Sequence, residues 1–275
     1  MSTKTLSVAV ACVIFSVALA QGQQTPSASP IPAASPSQAD CTGFITSSPV
    51  PADMIVRDGA DNDFQAPIRE FWHGDSVYLH GRNNAKFSVG DEFSIVRRAK
   101  ELFRTTRYDG EHWAIRGLGR PYEDAGRVQV THVTSQGTVA EVRFNCGPIL
   151  PGDIAMPYQP RPIPDYVPTT LDRFAVSNGK TRGVIVAARN NYDTVADGAI
   201  VYLNLGQEKG AKVGQLYRVY FRVLAPAHWP VLGHAPEPRE TVGEIVLLSV
   251  QQKSSVGIVV NSARDVDVGY GVELE

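Results

Sequence analysis

The chain has 275 residues, of which 24 are glycine and 19 are proline, and its formal net charge is −2. Acidic and basic residues are interspersed, which argues against nucleic acid or an anionic membrane surface as a partner. The many glycines and prolines, without long amphipathic helical patterns, favour short strands joined by tight turns.

The N-terminus has the three parts of a secretory signal peptide. Lys4 supplies the positive start, residues 6–19 form an apolar core, and an Ala-Leu-Ala sequence ends at Ala20. We predict a signal peptide at residues 1–20, cleaved after Ala20, and a periplasmic or secreted product that is not an integral membrane protein. An uncleaved anchor is disfavoured because the apolar run is shorter than the roughly 20 residues of a spanning helix. A lipoprotein acylated at Cys12 would place apolar Val13 where a polar tether belongs.

The next segment, residues 21–40, is rich in serine, proline, alanine and glutamine and is nearly uncharged. This composition cannot bury enough apolar surface to form a core. The sequence therefore predicts a disordered linker between the signal peptide and the folded part.

A duplicated stretch dominates the rest of the chain. Residues 198–220 repeat residues 74–96 at a constant offset of 124, and a second matched block follows at an offset of 117. Two matched blocks in the same order indicate one domain duplicated in tandem. We predict a first repeat at residues 41–157, a proline-rich linker at residues 158–173 and a second repeat at residues 174–275.

Each repeat carries the pattern of several short strands. The duplicated stretch predicts a strand, a turn and a second strand, paired as a hairpin, and each repeat then has one long hairpin, at residues 126–144 and 243–260. Five to seven strands in about 100 residues favour a closed barrel over an open sheet with bare edges. The predicted fold class is all-β, with two tandem small barrels.

Two cysteines, Cys41 and Cys146, remain after signal cleavage. In an exported protein they predict one disulfide, which would join the two ends of the first repeat. Two buried free thiols are the alternative. Too few cysteines and histidines lie at ligand spacing for zinc, and the sequence predicts no metal site and no cofactor.

The glycine-punctuated blocks also resemble a known domain family. They read VYLNLG at residues 201–206, GAKVGQLYRV at 210–219, GEI at 243–245 and VG at 268–269, with looser echoes at 89–93 and 151–153. These motifs resemble the C-terminal domain of flagellar assembly protein T and of related exported bacterial proteins. The resemblance implies an SH3-like barrel in a protein with a scaffolding role in the cell envelope.

A His-Trp pair recurs in the longest predicted loop of each repeat, as His112-Trp113 and His228-Trp229. An exposed tryptophan there could stack on a sugar face or a proline of a ligand. The favoured alternative is that Trp113 and Trp229 plug one end of each barrel, because a closed barrel needs large side chains in its interior.

The sequence contains no recognisable catalytic motif. It lacks a Gly-x-Ser-x-Gly elbow, a His-Glu-x-x-His helix and a phosphate-binding glycine loop. We therefore predict a non-enzymatic adaptor or scaffold that binds an envelope protein. The alternative is a protein that binds peptidoglycan or another polysaccharide through the aromatic loops.

Overall fold

A computed structural model shows an all-β protein with two closed six-stranded barrels. It describes residues 29–59, 70–82, 86–99, 108, 110–135, 137–222 and 239–275. The predicted fold class, all-β with two tandem barrels, is confirmed. The predicted signal peptide at residues 1–20 lies outside the described residues.

Part of the linker that was predicted to be disordered is folded. Its described residues form strand β1 (Ile31–Pro32) and helix α1 (Pro36–Asp40), and strand β2 (Phe44–Thr46) follows. The prediction of disorder is therefore wrong for residues 29–40. The cause is tertiary contact: Ala33 and Ala34 are buried against the second barrel, and such small side chains lose little conformational entropy on ordering.

The start of helix α1 is determined by local sequence. The Ser35 hydroxyl accepts a hydrogen bond from the backbone N–H of Gln38 at 3.2 Å, and the Gln38 side chain accepts one from the Ser35 N–H at 2.9 Å. This reciprocal pair is a capping box, and Pro36 occupies the first helical turn, where a missing N–H does no harm.

The first barrel has six strands and one helix. They are β3 (Met54–Gly59), β4 (Ser76–Gly81), β5 (Glu92–Arg98), α2 (Glu111–Leu118), β6 (Arg120–Thr134), β7 (Gly137–Asn145) and β8 (Ile154–Pro157). The strand order is β3-β4-β7-β6-β5-β8, and pairing of Ile55 with Ile154 closes the barrel. Strand β2 is added outside the barrel, beside the first residues of β6.

The connection to the second barrel contains strand β9 (Asp165–Tyr166), which pairs with β1. The second barrel contains β10 (Arg182–Ala188), β12 (Ile200–Leu203), β13 (Leu216–Arg222), β14 (Arg239–Val250), β15 (Ser255–Ser262) and β17 (Gly271–Leu274). The short strands β11 (Thr194–Val195) and β16 (Val266–Asp267) pair beside it, and 3-10 turns cover Arg189–Asn191 and Gln207–Lys209.

Both barrels have the same strand order and the same irregularities. The second runs β10-β12-β15-β14-β13-β17, so every strand occupies the place of its counterpart in the first. Strand β3 has a register shift between Val56 and Asp58, and β10 has one between Ile185 and Ala187, at matching positions. Because bulges alter the facing of every later side chain, their agreement supports a duplication of the whole barrel.

One predicted pairing is wrong. The two strands of the duplicated stretch, β12 and β13 in the second barrel, are not neighbours: β12 pairs with β10 and β15, whereas β13 pairs with β14 and β17. The connection between them, from Asn204 to Gln215, is longer than a tight hairpin turn and contains a 3-10 turn. The predicted long hairpins, β6–β7 and β14–β15, are present.

The alternating apolar positions of the duplicated stretch face the barrel interiors. Val77, Leu79, Phe93 and Ile95 lie in the core of the first barrel. Their counterparts lie in the core of the second, namely Val201, Leu203, Tyr217 and Val219. The period-2 pattern therefore predicted the core face of both strands correctly.

Candidate functional site

The predicted plug, Trp113, does not fill the barrel. It lies on helix α2, where its side chain is 77% exposed, and the Arg116 guanidinium lies 6.0 Å from its ring centroid. The plug interpretation is therefore wrong for Trp113. His112, on the same helix, is half-buried. The second pair, His228 and Trp229, lies outside the described residues.

Helix α2 turns Trp113 outward because its opposite face is used for packing. Ile115 and Leu118 are buried in a cluster that also contains Val186 and Ile200 of the second barrel. Residues three apart share one face of a helix. The helix therefore connects the two barrels, and Trp113 is left on its solvent face.

The apolar cluster at the interface combines residues from three parts of the chain. Those from the N-terminal segment are Ala33, Ala34 and Ile45; those from helix α2 are Ile115 and Leu118; those from the second barrel are Val186, Ala187, Ile200, Tyr202, Val246, Leu248, Val256 and Ile258. Burying each large aliphatic side chain contributes about 1.5–3 kcal/mol. The two barrels are thus joined by a shared core.

The counterpart of this surface on the first barrel faces solvent and is polar. Ile200, Val246 and Ile258 correspond to Ser76, Gln129 and Glu141, by the offsets of the two duplicated blocks. All three apolar residues are buried, whereas the three polar ones are partly exposed. A comparison of the repeats, position by position, would have pointed to this surface from sequence, since these three positions are apolar in one copy and polar in the other.

Two hydrogen bonds secure the N-terminal segment to the second barrel. The Tyr202 hydroxyl donates to the Thr42 carbonyl oxygen at 2.9 Å, and the Ser254 hydroxyl donates to the Ile45 carbonyl oxygen at 2.5 Å. Burial raises the pKa of Tyr202 well above its ordinary value, with the nearby Asp124 carboxylate acting in the same direction. Tyr202 is therefore a neutral donor at any physiological pH.

An arginine from the proline-rich connection holds the N-terminal segment to the first barrel. Arg161 binds both carboxylate oxygens of Asp124 at 2.7 Å and the Thr42 hydroxyl at 2.6 Å. Asp124 also accepts the backbone N–H of Gly43 at 2.7 Å. Such paired bonds between a guanidinium and a carboxylate are strong and directional. Sequence reasoning missed Arg161, because nothing marks it within residues 158–173 except its charge.

The predicted disulfide is present. Cys41 and Cys146 are bonded, with their Cα atoms 5.4 Å apart, and they are separated by 105 residues in the chain. The bond ties the residues just after helix α1 to the end of strand β7. Together with Arg161, it fixes the segment that bridges the two barrels.

Within the described ranges, no group of three histidine, cysteine, aspartate or glutamate side chains is arranged to hold a metal ion. Among the same residues, no helix has the length and apolar character needed to span a membrane.

No protein-family model and no curated protein matches this chain. The resemblance to the C-terminal domain of flagellar assembly protein T therefore stays a prediction from the sequence motifs.

Proposed function

We propose that this protein is a non-enzymatic, exported adaptor of the bacterial cell envelope, and that its two barrels act as one rigid binding body. The observation that carries the proposal is the shared apolar core between the barrels, reinforced by Arg161 and the disulfide. Two domains free to move would need no such core. A rigid pair presents one composite surface, as an adaptor requires.

Two further observations support export. The first residues have the pattern of a signal peptide. The Cys41–Cys146 disulfide is of the kind that persists in oxidising compartments and is rare in the cytosol. The motifs shared with the flagellar assembly protein T domain favour a scaffolding role in the envelope.

Helix α2 is the part of this surface that we assign to a protein partner. Trp113 is exposed, with Arg116 beside it, and tryptophan and arginine are the residue types most often central to binding energy at interfaces. Both are carried by a helix whose other face is fixed in the inter-barrel core, so little conformational entropy is lost on binding.

Site-specific cross-linking in cells tests this function. A photoreactive benzophenone amino acid is introduced at Trp113 and, as a matched control, at exposed Arg57 on strand β3. We expect the protein in the periplasmic fraction with its cysteines oxidised, and a discrete cross-linked envelope protein from position 113 only. A cytoplasmic protein with reduced cysteines, or the same products from both positions, would contradict the proposal.

A second candidate is binding of peptidoglycan or another wall polysaccharide, which the exposed Trp113 ring favours because such rings stack on sugar faces. The test is co-sedimentation with purified cell wall, comparing the parent with Trp113→Ala and with Trp72→Ala, since Trp72 is also exposed, at 49%. Loss of binding with Trp113→Ala alone is expected. Equal binding by all three proteins would exclude this candidate.

A further inference from the structure

A cleft of about 500 Å³ lies between the two barrels, beside the disulfide. Its size falls in the range of small-molecule sites, which are often found between domains. The walls come from the N-terminal segment, the first barrel and the end of strand β10. Ala99, Ala125 and Pro148 supply apolar surface to these walls.

Most of the charges in the cleft are already compensated. Asp124 is bound by Arg161. Arg97 donates to Asp153 at 2.9 Å and to the Pro148 carbonyl oxygen, and its Nε lies 3.5 Å from Glu123. These ion pairs offset most of the charge on the first-barrel side of the cleft.

Arg189 is the exception. It lies just after strand β10, is half-buried and lines the cleft. In the part of the chain that the structure describes, its guanidinium makes no hydrogen bond and no ion pair. Its donors are therefore available to an anionic group that enters the cleft.

The two residues that follow Arg189 have an uncommon backbone conformation. Asn190 and Asn191 have φ values of 59° and 62° and are the only non-glycine residues with positive φ among those described. This left-handed conformation costs roughly 1 kcal/mol per residue, although asparagine tolerates it better than most other non-glycine residues. Both residues line the cleft, and backbone strain of this kind concentrates at ligand sites.

We infer that the cleft is a binding site for a small anionic ligand bearing a carboxylate or phosphate group. The Arg189 guanidinium is the anchor, since its planar set of donors matches either group with paired bonds, and the Asn190 side-chain amide is a second donor. The small apolar walls accommodate the body of the ligand. This site is separate from Trp113 and goes beyond the adaptor role.

The test is a titration of isotope-labelled full-length protein followed by amide and arginine side-chain NMR signals. The probes are inorganic phosphate, N-acetyl-Ala-Ala with a free carboxylate, and the same dipeptide with its C-terminus amidated. We expect saturable shifts at Arg189, Asn190 and Gly147 with phosphate or the free dipeptide and none with the amidated one. The anion that binds more tightly shows whether the charged group of the ligand is a phosphate or a carboxylate.

Substitutions decide whether Arg189 is the anchor. Arg189→Gln is expected to weaken binding about tenfold or more, whereas Arg189→Lys keeps the charge but loses the paired geometry and should be intermediate. Arg98→Gln is the matched control, because Arg98 is exposed on strand β5 and does not line the cleft. Unchanged spectra away from the cleft verify folding. The inference is overturned if no anion gives saturable shifts, or if Arg189→Gln and Arg98→Gln bind equally.

Discussion

Tyr202 and Tyr78 occupy the same position in the two barrels, yet Tyr202 is 5% exposed and Tyr78 is 38% exposed. Tyr78 lies on β4, which pairs with the bulged strand β3, and Tyr202 lies on β12, which pairs with the bulged strand β10. Only Tyr202 meets the N-terminal segment, where it donates to Thr42. The duplication thus placed a tyrosine at the same position of both barrels, and tertiary packing gave one of the two a structural role.

The first prediction compares these two tyrosines. Tyr202→Phe removes the donor to a buried carbonyl oxygen and should cost about 1–3 kcal/mol of unfolding free energy. Tyr78→Phe, on the solvent-facing copy, should change it by less than about 0.5 kcal/mol. Urea denaturation measures both. Equal effects would show that the Tyr202–Thr42 hydrogen bond contributes nothing specific.

The second prediction concerns the inter-barrel core. Ile115→Ala leaves a cavity between helix α2 and the second barrel and should lower the unfolding free energy by about 2–5 kcal/mol. Trp113→Ala, on the solvent face of the same helix, serves as the control and should have an effect of about 0.5 kcal/mol or less. Denaturation of both variants, followed by circular dichroism, is the measurement. An unchanged unfolding free energy in Ile115→Ala would mean that the stability of the two barrels does not depend on this contact.

The third prediction concerns the disulfide. It closes a loop of 105 residues, and replacing both Cys41 and Cys146 by serine should cost about 4 kcal/mol. Denaturation of the parent with and without reductant should give the same difference. The double variant itself should be insensitive to reductant. A sensitive double variant would show that reductant acts elsewhere.

The fourth prediction concerns acid stability, through Glu273 in the second barrel. Burial by itself would raise the pKa of Glu273, but hydrogen bonds from Ser177, Arg239 and Arg182 outweigh it and lower the pKa to about 2. A carboxyl group whose pKa is lowered by folding stabilises the folded state above its unfolded pKa of 4.5, and this stability is lost as the pH falls from there towards about 2. Thermal unfolding between these limits should therefore be less pH-dependent in Glu273→Gln. An unchanged pH profile would contradict the assignment.

Asp153 provides an internal contrast, because folding raises its pKa and lowers that of Glu273. Burial raises its pKa from 3.8 to about 6, against the lowering effects of the Leu150 backbone N–H and Arg97. The folded state therefore takes up this proton first, and the contribution of Asp153 to stability rises as the pH falls from about 6 towards 3.8. The two carboxyl groups act mainly in different pH ranges, so their effects can be separated in one profile.

Much of the fold was predictable because it depends on local repetition. Alternating apolar residues identified the interior faces of β4 and β5 and of their counterparts, and matched glycines revealed the duplication. The cysteine pair predicted the disulfide. Pairing within the duplicated stretch was not predictable in this way, because the partner of a strand is chosen by closure of the whole barrel and not by the neighbouring turn.

Two copies of one barrel, the residues that fill them and the bonded cysteines can all be inferred from the amino-acid sequence. Three features emerge from the folded chain instead: residues 29–40 are ordered, Trp113 faces solvent, and Arg161 joins the N-terminal segment to Asp124. The difference arises because the alternation of buried and exposed positions in a strand depends on adjacent residues. Contacts between barrels, by contrast, join side chains far apart in the chain, and their energy arises only when both surfaces are folded.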